Sequence, residues 1–294
     1  MILRCFVVRI WLRLDSNRAL HDFLAMDYYP YSRKVLKACG LTSLPDRRTT
    51  FDRRLAKISV DIKERIAAMA VLFVKEKFVD PYNVTIDSTL LRAKGCPWHK
   101  SSMIKGVVPR SGIDTDARLG FSHTKQWIFG YKLHIVSSTG SLIVPLFADF
   151  TQANIYDNQI YPAITSSLPQ GVRYVAADSG YDDHKLYNLS IDRGFELVCP
   201  VSEIYNHTSS DRLQLINFYD SELGQAIYSW RGISIEPLIE HIKGVFKIDP
   251  LPVRGYKKAA GMTLLSVLVY QIIVYYNCKT HKEHPKAIKH MLCS

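Results

Sequence analysis

The chain has 294 residues, 47% of them hydrophobic, with 15 Gly and 13 Pro. A sequence of this length and composition can bury a substantial core, and it predicts one large domain with a smaller appendage. The net charge of +11 is unevenly spread: residues 1–79 hold 16 Lys and Arg against 8 Asp and Glu, residues 251–294 hold 7 against 1, and residues 80–250 hold 15 against 18. Basic ends around a slightly acidic centre indicate a polyanion-binding protein, with ordinary solvated basic helices as the alternative.

The cysteines and the apolar segments indicate in which cellular compartment the protein is expected. The six cysteines are scattered without the spacing of a zinc site, which predicts reduced thiols in a cytoplasmic protein. The first 11 residues superficially resemble a signal peptide, but Arg9 and Arg13 interrupt the apolar region and no small-residue cleavage site follows. The apolar run 262–276 is short and contains polar residues, so we expect a buried C-terminal helix and no membrane span.

Residues 1–79 have apolar positions at helical spacing, and we interpret them as a helical, basic N-terminal region. Pro45 and the pair Thr49 and Thr50 predict a turn followed by a helix that carries Arg53 and Arg54. A short helix, a turn and an arginine-rich helix are compatible with a helix-turn-helix DNA reader, although arginines on a helix more often form a solvated face.

The pattern after residue 80 predicts a mixed α/β domain that extends to about residue 250. A strand at 82–92 precedes a polar stretch, 93–127, that we expect to be a long functional loop with Lys125 among its cations. Trp98 and Trp127 either stack on bases or fix this loop in place, and the second role is the better expectation for each alone. Strands at 129–136 and 142–150 form a hairpin, and further strands precede 178 and occupy 195–200, with helices at 155–168, 183–191 and 233–246. Residues 251–294 are expected to be a basic helical segment packed on this domain.

Two of the strands run into an aspartate, Asp87 in one and Asp178 in the other. A lone aspartate at a strand end is most often a turn cap, but two on matching strands indicate a shared site at one edge of the sheet. Buried carboxylates are costly unless they are paired or bind a metal ion. Oxygen ligands without nearby Cys or His favour Mg²⁺ or Mn²⁺.

A third acid is expected on the helix 233–246. Glu236, Glu240 and Lys243 lie at positions i, i+4 and i+7, which is one stripe of a helix, and this stripe also fits a plain surface face opposite apolar residues. Just before the helix, Tyr228 and Arg231 supply a phenol and a guanidinium suited to phosphate oxygens.

Taken in order, these motifs resemble the DDE transposases of bacterial insertion sequences, specifically the insertion-sequence-four family. The matching segments are 86–89, 130–134, 177–182 and a Tyr-Arg-Glu-Lys series formed by Tyr228, Arg231, Glu236 and Lys243. The resemblance covers residues 80–250 and implies a ribonuclease-H-like catalytic domain. Four residues separate Arg231 from Glu236 where the family usually has three, so Glu240 stays open as the third acid.

The resemblance also implies a function. Asp87, Asp178 and Glu236 would be catalytic and would bind Mg²⁺, with Mn²⁺ as a substitute, in two-metal phosphoryl transfer that cleaves element ends and joins them to target DNA. The expected contacts to double-stranded DNA are Tyr228, Arg231, Lys243, Lys132, Arg53 and Arg54, and self-association is expected in the synaptic complex. Two alternatives are a catalytically silent DNA-binding protein derived from a transposase and another metal-dependent phosphoryl enzyme.

Overall fold

The computed structural model describes residues 1–26, 30–45, 49–122, 126–201 and 210–292. Lys125 of the expected phosphate-binding loop lies outside these ranges. Five helices precede the first strand in the described part of residues 1–79, which confirms the helical prediction there. They are α1 (Ile2–Trp11), α2 (Asn17–Ala25), α3 (Pro30–Ala38), α4 (Thr49–Leu55) and α5 (Ser59–Lys75). As predicted, the arginine-rich helix α4 begins at the threonine pair.

A six-stranded mixed sheet forms the centre of the chain and is flanked by helices, which confirms the predicted fold class. Its strands are β1 (Asn83–Arg92), β2 (Arg118–Ser122), β3 (Gln126–Ser138), β4 (Pro145–Gln152), β5 (Tyr174–Ala176) and β6 (Glu196–Val198). The strand order is β2-β3-β1-β5-β6, and β4 pairs with the part of β3 that β2 leaves free. β1, β3 and β4 are antiparallel neighbours, whereas β5 and β6 run parallel to β1. Without the edge strand β2, the sheet has three antiparallel strands and two strands parallel to β1, which is the arrangement expected of a ribonuclease-H-like core.

The remaining helices follow or cover these strands. They are α6 (Lys100–Ile104), α7 (Asp157–Thr165), α8 (His184–Asp192), α9 (Ser210–Asp220), α10 (Glu222–Ile233), α11 (Ile235–Phe246) and α12 (Tyr256–Lys279), with short 3₁₀ helices at Ser179–Tyr181 and Ile288–His290. The expectation of a structureless loop at 93–127 was wrong, because this stretch contains α6 and the edge strand β2. The polar composition of this stretch did not indicate a strand, because an edge strand such as β2 pairs on one side only, here with β3.

Helix α12 is the apolar C-terminal helix that the sequence predicted. It is long and apolar enough to cross a membrane, but 83% of its apolar window is buried inside the protein. Gln271 in its middle donates from Nε2 to the carbonyl oxygens of Ile66 in α5 and Pro145 in β4, at 3.1 and 2.8 Å. A helix that is apolar on all sides is typical of a core position, and here it lies against both the N-terminal helices and the sheet. The division of the chain at residues 79 and 250 stays a prediction.

Candidate active site

Asp87 lies in the middle of β1, which confirms the predicted strand at 82–92, whereas the interpretation of Asp87 as a strand-end residue was wrong. β1 pairs with β3 as far as Arg92, but its pairing with β5 stops at Thr85. Beyond Thr85 this side of β1 is no longer covered by a parallel neighbour, and the strand carries Asp87 into the space that β5 leaves. On the β5 side of β1 the pairing thus ends just before Asp87, whereas on the β3 side it continues past Asp87.

Asp178 follows the end of β5, the strand that runs parallel to β1. The parallel register pairs Thr85 with Ala176, and Asp87 and Asp178 each follow two positions later. Asp178 caps the 3₁₀ turn that begins at Ser179, with Oδ1 accepting from the backbone N–H of Gly180 at 3.0 Å. It is thus a turn cap, as the plain interpretation held, and also a carboxylate whose charge acts on Asp87.

The two carboxylates are partly buried and share one cation, the guanidinium of Arg231 in α10. Its Nη2 donates to Oδ2 of Asp87 at 3.0 Å, while Oδ1 of Asp87 accepts from the N–H of Ser88 at 2.7 Å. Burial raises the pKa of Asp87 to about 6; Arg231 opposes the rise, and Asp178 and Asp157 add to it. Burial also raises the pKa of Asp178, again against the effect of Arg231 and with a contribution from Asp157. The site thus concentrates negative charge that a bound cation would stabilise.

Tyr228 and Arg231 form one unit on α10. Arg231 Nη1 donates to the Tyr228 hydroxyl at 3.3 Å, and the guanidinium carbon lies 5.7 Å from the centre of the tyrosine ring. The Nε of Arg231 is buried without a hydrogen-bond partner among the described residues. Arg231, which the sequence predicted to bind phosphate, is therefore paired with Asp87, and its Nε–H group remains available as a hydrogen-bond donor.

Helix α11 runs along the face of β1 that carries Asp87. At its start the Ser234 hydroxyl lies 2.9 Å from the Thr85 hydroxyl, and further along Lys243 Nζ donates to Thr89 Oγ1 at 3.4 Å. Thr85, Asp87 and Thr89 alternate along one face of the strand, so α11 passes over Asp87 between these two contacts. These contacts place α11 beside the strand that carries Asp87.

The structure does not join the helix acids to the two aspartates. Glu236 is exposed in the first turn of α11, and Glu240 pairs with Lys243 at 2.9 Å while its side chain is 70% exposed. Over the ranges that the structure describes, no three acidic, His or Cys side chains are close enough to form a ready-made metal site. Asp87 and Asp178 supply oxygen atoms that suit a divalent cation, and the choice between Glu236 and Glu240 as a third ligand stays open.

Sequence reasoning missed Asp157, the first residue of α7. Its Oδ1 accepts from Lys132 Nζ at 3.1 Å and lies 3.4 Å from His134 Nδ1, and its charge acts on both Asp87 and Asp178. Lys132 also donates to the carbonyl oxygen of Ile155 at 2.9 Å, so the lysine predicted to bind DNA is held inward. The alternation of Lys132 and His134 marks one face of β3, but no sequence signal placed Asp157 opposite them.

The remaining predicted contacts lie away from the acids. Arg53 and Arg54 are exposed on α4. Trp98 is buried and donates to the carbonyl oxygen of Val107 at 2.9 Å, which is the loop-fixing role expected of it. Trp127 is 67% exposed on β3 and packs edge-to-face against Phe121.

A mixed sheet that sets two partly buried aspartates side by side, under a helix with further acids, is the catalytic core expected of a DDE-type phosphoryl-transfer protein. The chain belongs to the family described as "Transposase DDE domain", whose sequence model matches residues 80–272. Among solved structures the chain is similar to a piggyBac transposase synaptic complex with hairpin DNA, with 12% identity and a TM-score of 0.46 over 99% of this chain and 68% of that one. The comparison with curated proteins gave no match. DDE transposase domains generally use divalent metal ions, and Asp87 and Asp178 fit one.

Proposed function

We propose that the chain is a DNA transposase of a bacterial insertion sequence of the insertion-sequence-four family. It cleaves the ends of its element and joins them to target DNA in a reaction that needs Mg²⁺, for which Mn²⁺ substitutes. The proposal is supported by the parallel register of β1 and β5, which ends two residues before each of Asp87 and Asp178, and by the raised pKa values of both carboxylates. The cytoplasm and a self-associated synaptic complex are the expected setting.

The proposed chemistry divides the work among these side chains. Asp87 and Asp178 hold divalent cations, with Glu236 as the third ligand and Glu240 as the alternative. Cations bound there would supply the Lewis acidity of two-metal phosphoryl transfer.

Arg231 has a second role in this scheme. It neutralises Asp87 in the absence of a cation and offers its planar donors to a DNA phosphate when a cation replaces it. Tyr228 keeps the guanidinium in place through its hydroxyl.

Cleavage of DNA that carries the ends flanking the gene tests the proposal. With Mg²⁺ the wild-type protein should cut at the ends, and Asp87→Asn and Asp178→Asn should each reduce the rate by at least about 100-fold, because each removes a charge that holds the cation. Asp192→Asn, an exposed aspartate at the end of α8, is the matched control and should cut like the wild type. Full activity of Asp178→Asn would overturn the proposal.

Two further measurements refine the assignment. Loss of activity in Glu236→Gln but not in Glu240→Gln would identify Glu236 as the third acid, and the reverse would identify Glu240. Calorimetric titration of Mn²⁺ gives a readout that is independent of cleavage, and binding should weaken in Asp87→Asn but not in Asp192→Asn.

A catalytically silent DNA-binding protein is the second candidate. The ion pair between Arg231 and Asp87 and the separation of the helix acids from the aspartates favour it. Salt-sensitive DNA binding without cleavage in Mg²⁺ or Mn²⁺ would establish this role.

A further inference from the structure

A groove runs between α4, the start of α12 and the first turn of α7. It consists of two adjoining cavities of about 480 and 860 Å³, both of which are lined by Ala56 and Lys257. We call it the α4–α12 groove. It connects the N-terminal helices with the end of β4 and the start of α7.

The walls of the α4–α12 groove are strongly basic. The cations that line it are Arg53, Arg54, Lys57, Lys257 and Lys258. Four of them are exposed and Lys258 is half-buried, and within the described ranges none of their side chains makes a hydrogen bond or an ion pair. Long basic side chains that converge on one groove create a positive potential there, which attracts a polyanion.

The acidic residue that lines this groove, Asp116, already accepts a hydrogen bond from the backbone. Asp116 Oδ2 accepts from the backbone N–H of Tyr256 at 2.9 Å, and Asp114 accepts from the N–H of Gly255 at the same distance. These two aspartates cap the N-terminus of α12. The attraction for an anion therefore comes from the lysine and arginine side chains and does not depend on the helix terminus.

The far end of the α4–α12 groove lies at the start of α7, close in sequence to Asp157. It is lined there by Ile155 and Gln159, which flank Asp157 in the sequence. The carbonyl oxygen of Ile155 holds Lys132, and Lys132 in turn pairs with Asp157, whose charge acts on Asp87 and Asp178. A chain bound along the groove thus ends beside the residues that flank Asp157.

We propose that the α4–α12 groove binds the sugar–phosphate backbone of the DNA that enters the site at Asp87 and Asp178. This assignment rests on the transposase function proposed above, and it adds Lys57, Lys257 and Lys258 to the DNA-binding surface. Contacts to phosphates position DNA without distinguishing its sequence. Loss of these lysines therefore weakens the binding of element ends and of unrelated duplexes by the same factor.

The test compares Lys57→Ala/Lys257→Ala with Lys286→Ala/Lys289→Ala, a control that removes two exposed lysines near the C-terminus. Binding of the full-length chain to a duplex of ~30 base pairs, long enough for several phosphate contacts, is measured over a series of salt concentrations without Mg²⁺. The slope of log K against log salt concentration should fall in magnitude by about 1.8 for the groove variant, since each phosphate contact contributes about 0.9. The control should keep the wild-type slope, and circular dichroism verifies that both variants are folded.

The outcomes separate this proposal from the proposed function. A groove variant that keeps the wild-type slope, a control that loses as much, or a wild-type chain that binds no DNA would overturn the role of the groove. A wild-type chain that binds with a groove-dependent slope but cuts no DNA in Mg²⁺ or Mn²⁺ would overturn the transposase activity alone.

Discussion

Buried charges around the candidate active site have partners on other elements. Arg231 of α10 pairs with Asp87 of β1, and Lys132 of β3 pairs with Asp157 of α7. Asp182, just after the Asp178 turn, accepts two hydrogen bonds from Arg212 of α9 at 2.7 and 2.8 Å. Since an unpaired buried charge is costly, these pairs tie the acids to helices that come from distant parts of the sequence.

His134 gives a prediction about pH. Burial lowers its pKa from 6.5 to about 4, while Asp157 and Asp149 favour the proton and Lys132 and Lys63 oppose it. Above pH 6.5 the group is neutral in both states; as the pH falls toward 4, the unfolded chain takes up a proton that folded His134 rejects. Stability is therefore lost over this window, by up to about 3 kcal/mol at its lower end.

Urea unfolding between pH 7 and 4 measures this contribution. His134→Gln keeps a group that can reach Thr151 but does not titrate, so its stability should fall less steeply over the window than that of the wild type. The raised pKa of Asp87 acts in the opposite direction in both proteins and cancels in the comparison. His99→Gln, at an exposed histidine, should match the wild type. An unchanged slope in His134→Gln would contradict the assignment.

Among the secondary-structure elements, the contact between β1 and β3 fixes the geometry of the site. Gly130 of β3 lies where an added Cβ would overlap the carbonyl oxygen of Leu91 in β1. The glycine thus lets the two strands pair closely up to Arg92, which holds the strand that carries Asp87. Close backbone packing thus explains the glycine in segment 130–134, one of the segments that resemble the transposase family.

Gly130→Ala should destabilise the protein by about 1–3 kcal/mol or more, because the strand pair cannot accommodate the methyl group without moving apart. Gly244→Ala is the matched control on α11, where a Cβ would meet open space. It should stabilise the protein by about 0.5–1 kcal/mol, since alanine favours a helix interior. Thermal unfolding of both variants gives the comparison, and equal effects of the same sign would refute the packing argument.

In the molecule as a whole, the N-terminal helices share a core with the sheet through α12. Phe73 of α5 is fully buried and packs edge-to-face against Tyr275 of α12, with ring centres 5.6 Å apart. The same apolar cluster includes Phe6 of α1 and Leu133 of β3. A continuous core of this kind predicts that the N-terminal helices and the sheet unfold together.

Phe73→Ala tests this cooperativity. It should reduce the free energy of unfolding by about 3–5 kcal/mol, and hydrogen exchange should accelerate equally for slow amides of α1 and β3. Val71→Ala, on the exposed side of the same helix, should change stability by less than about 0.5 kcal/mol. Faster exchange confined to the helices of residues 1–79 would show that they unfold independently.

The sequence alone determined most of the strands and helices of residues 80–250 apart from α6 and β2, together with the two aspartates and the buried C-terminal helix. These features follow from local patterns, because apolar periodicity and the residues at element ends act over short distances. It also identified Arg231 and Lys243 as cations near the acids, although it assigned them to DNA rather than to Asp87 and Glu240.

The tertiary structure decided what depends on distant partners. It showed that β5 stops pairing with β1 two residues before Asp87, that Asp157 faces Lys132 and His134, and that basic residues of α4 and α12 line one groove. Pairing on the two sides of a strand and convergence of side chains from separate helices depend on how the whole chain packs. No pattern within a short stretch of sequence specifies that packing.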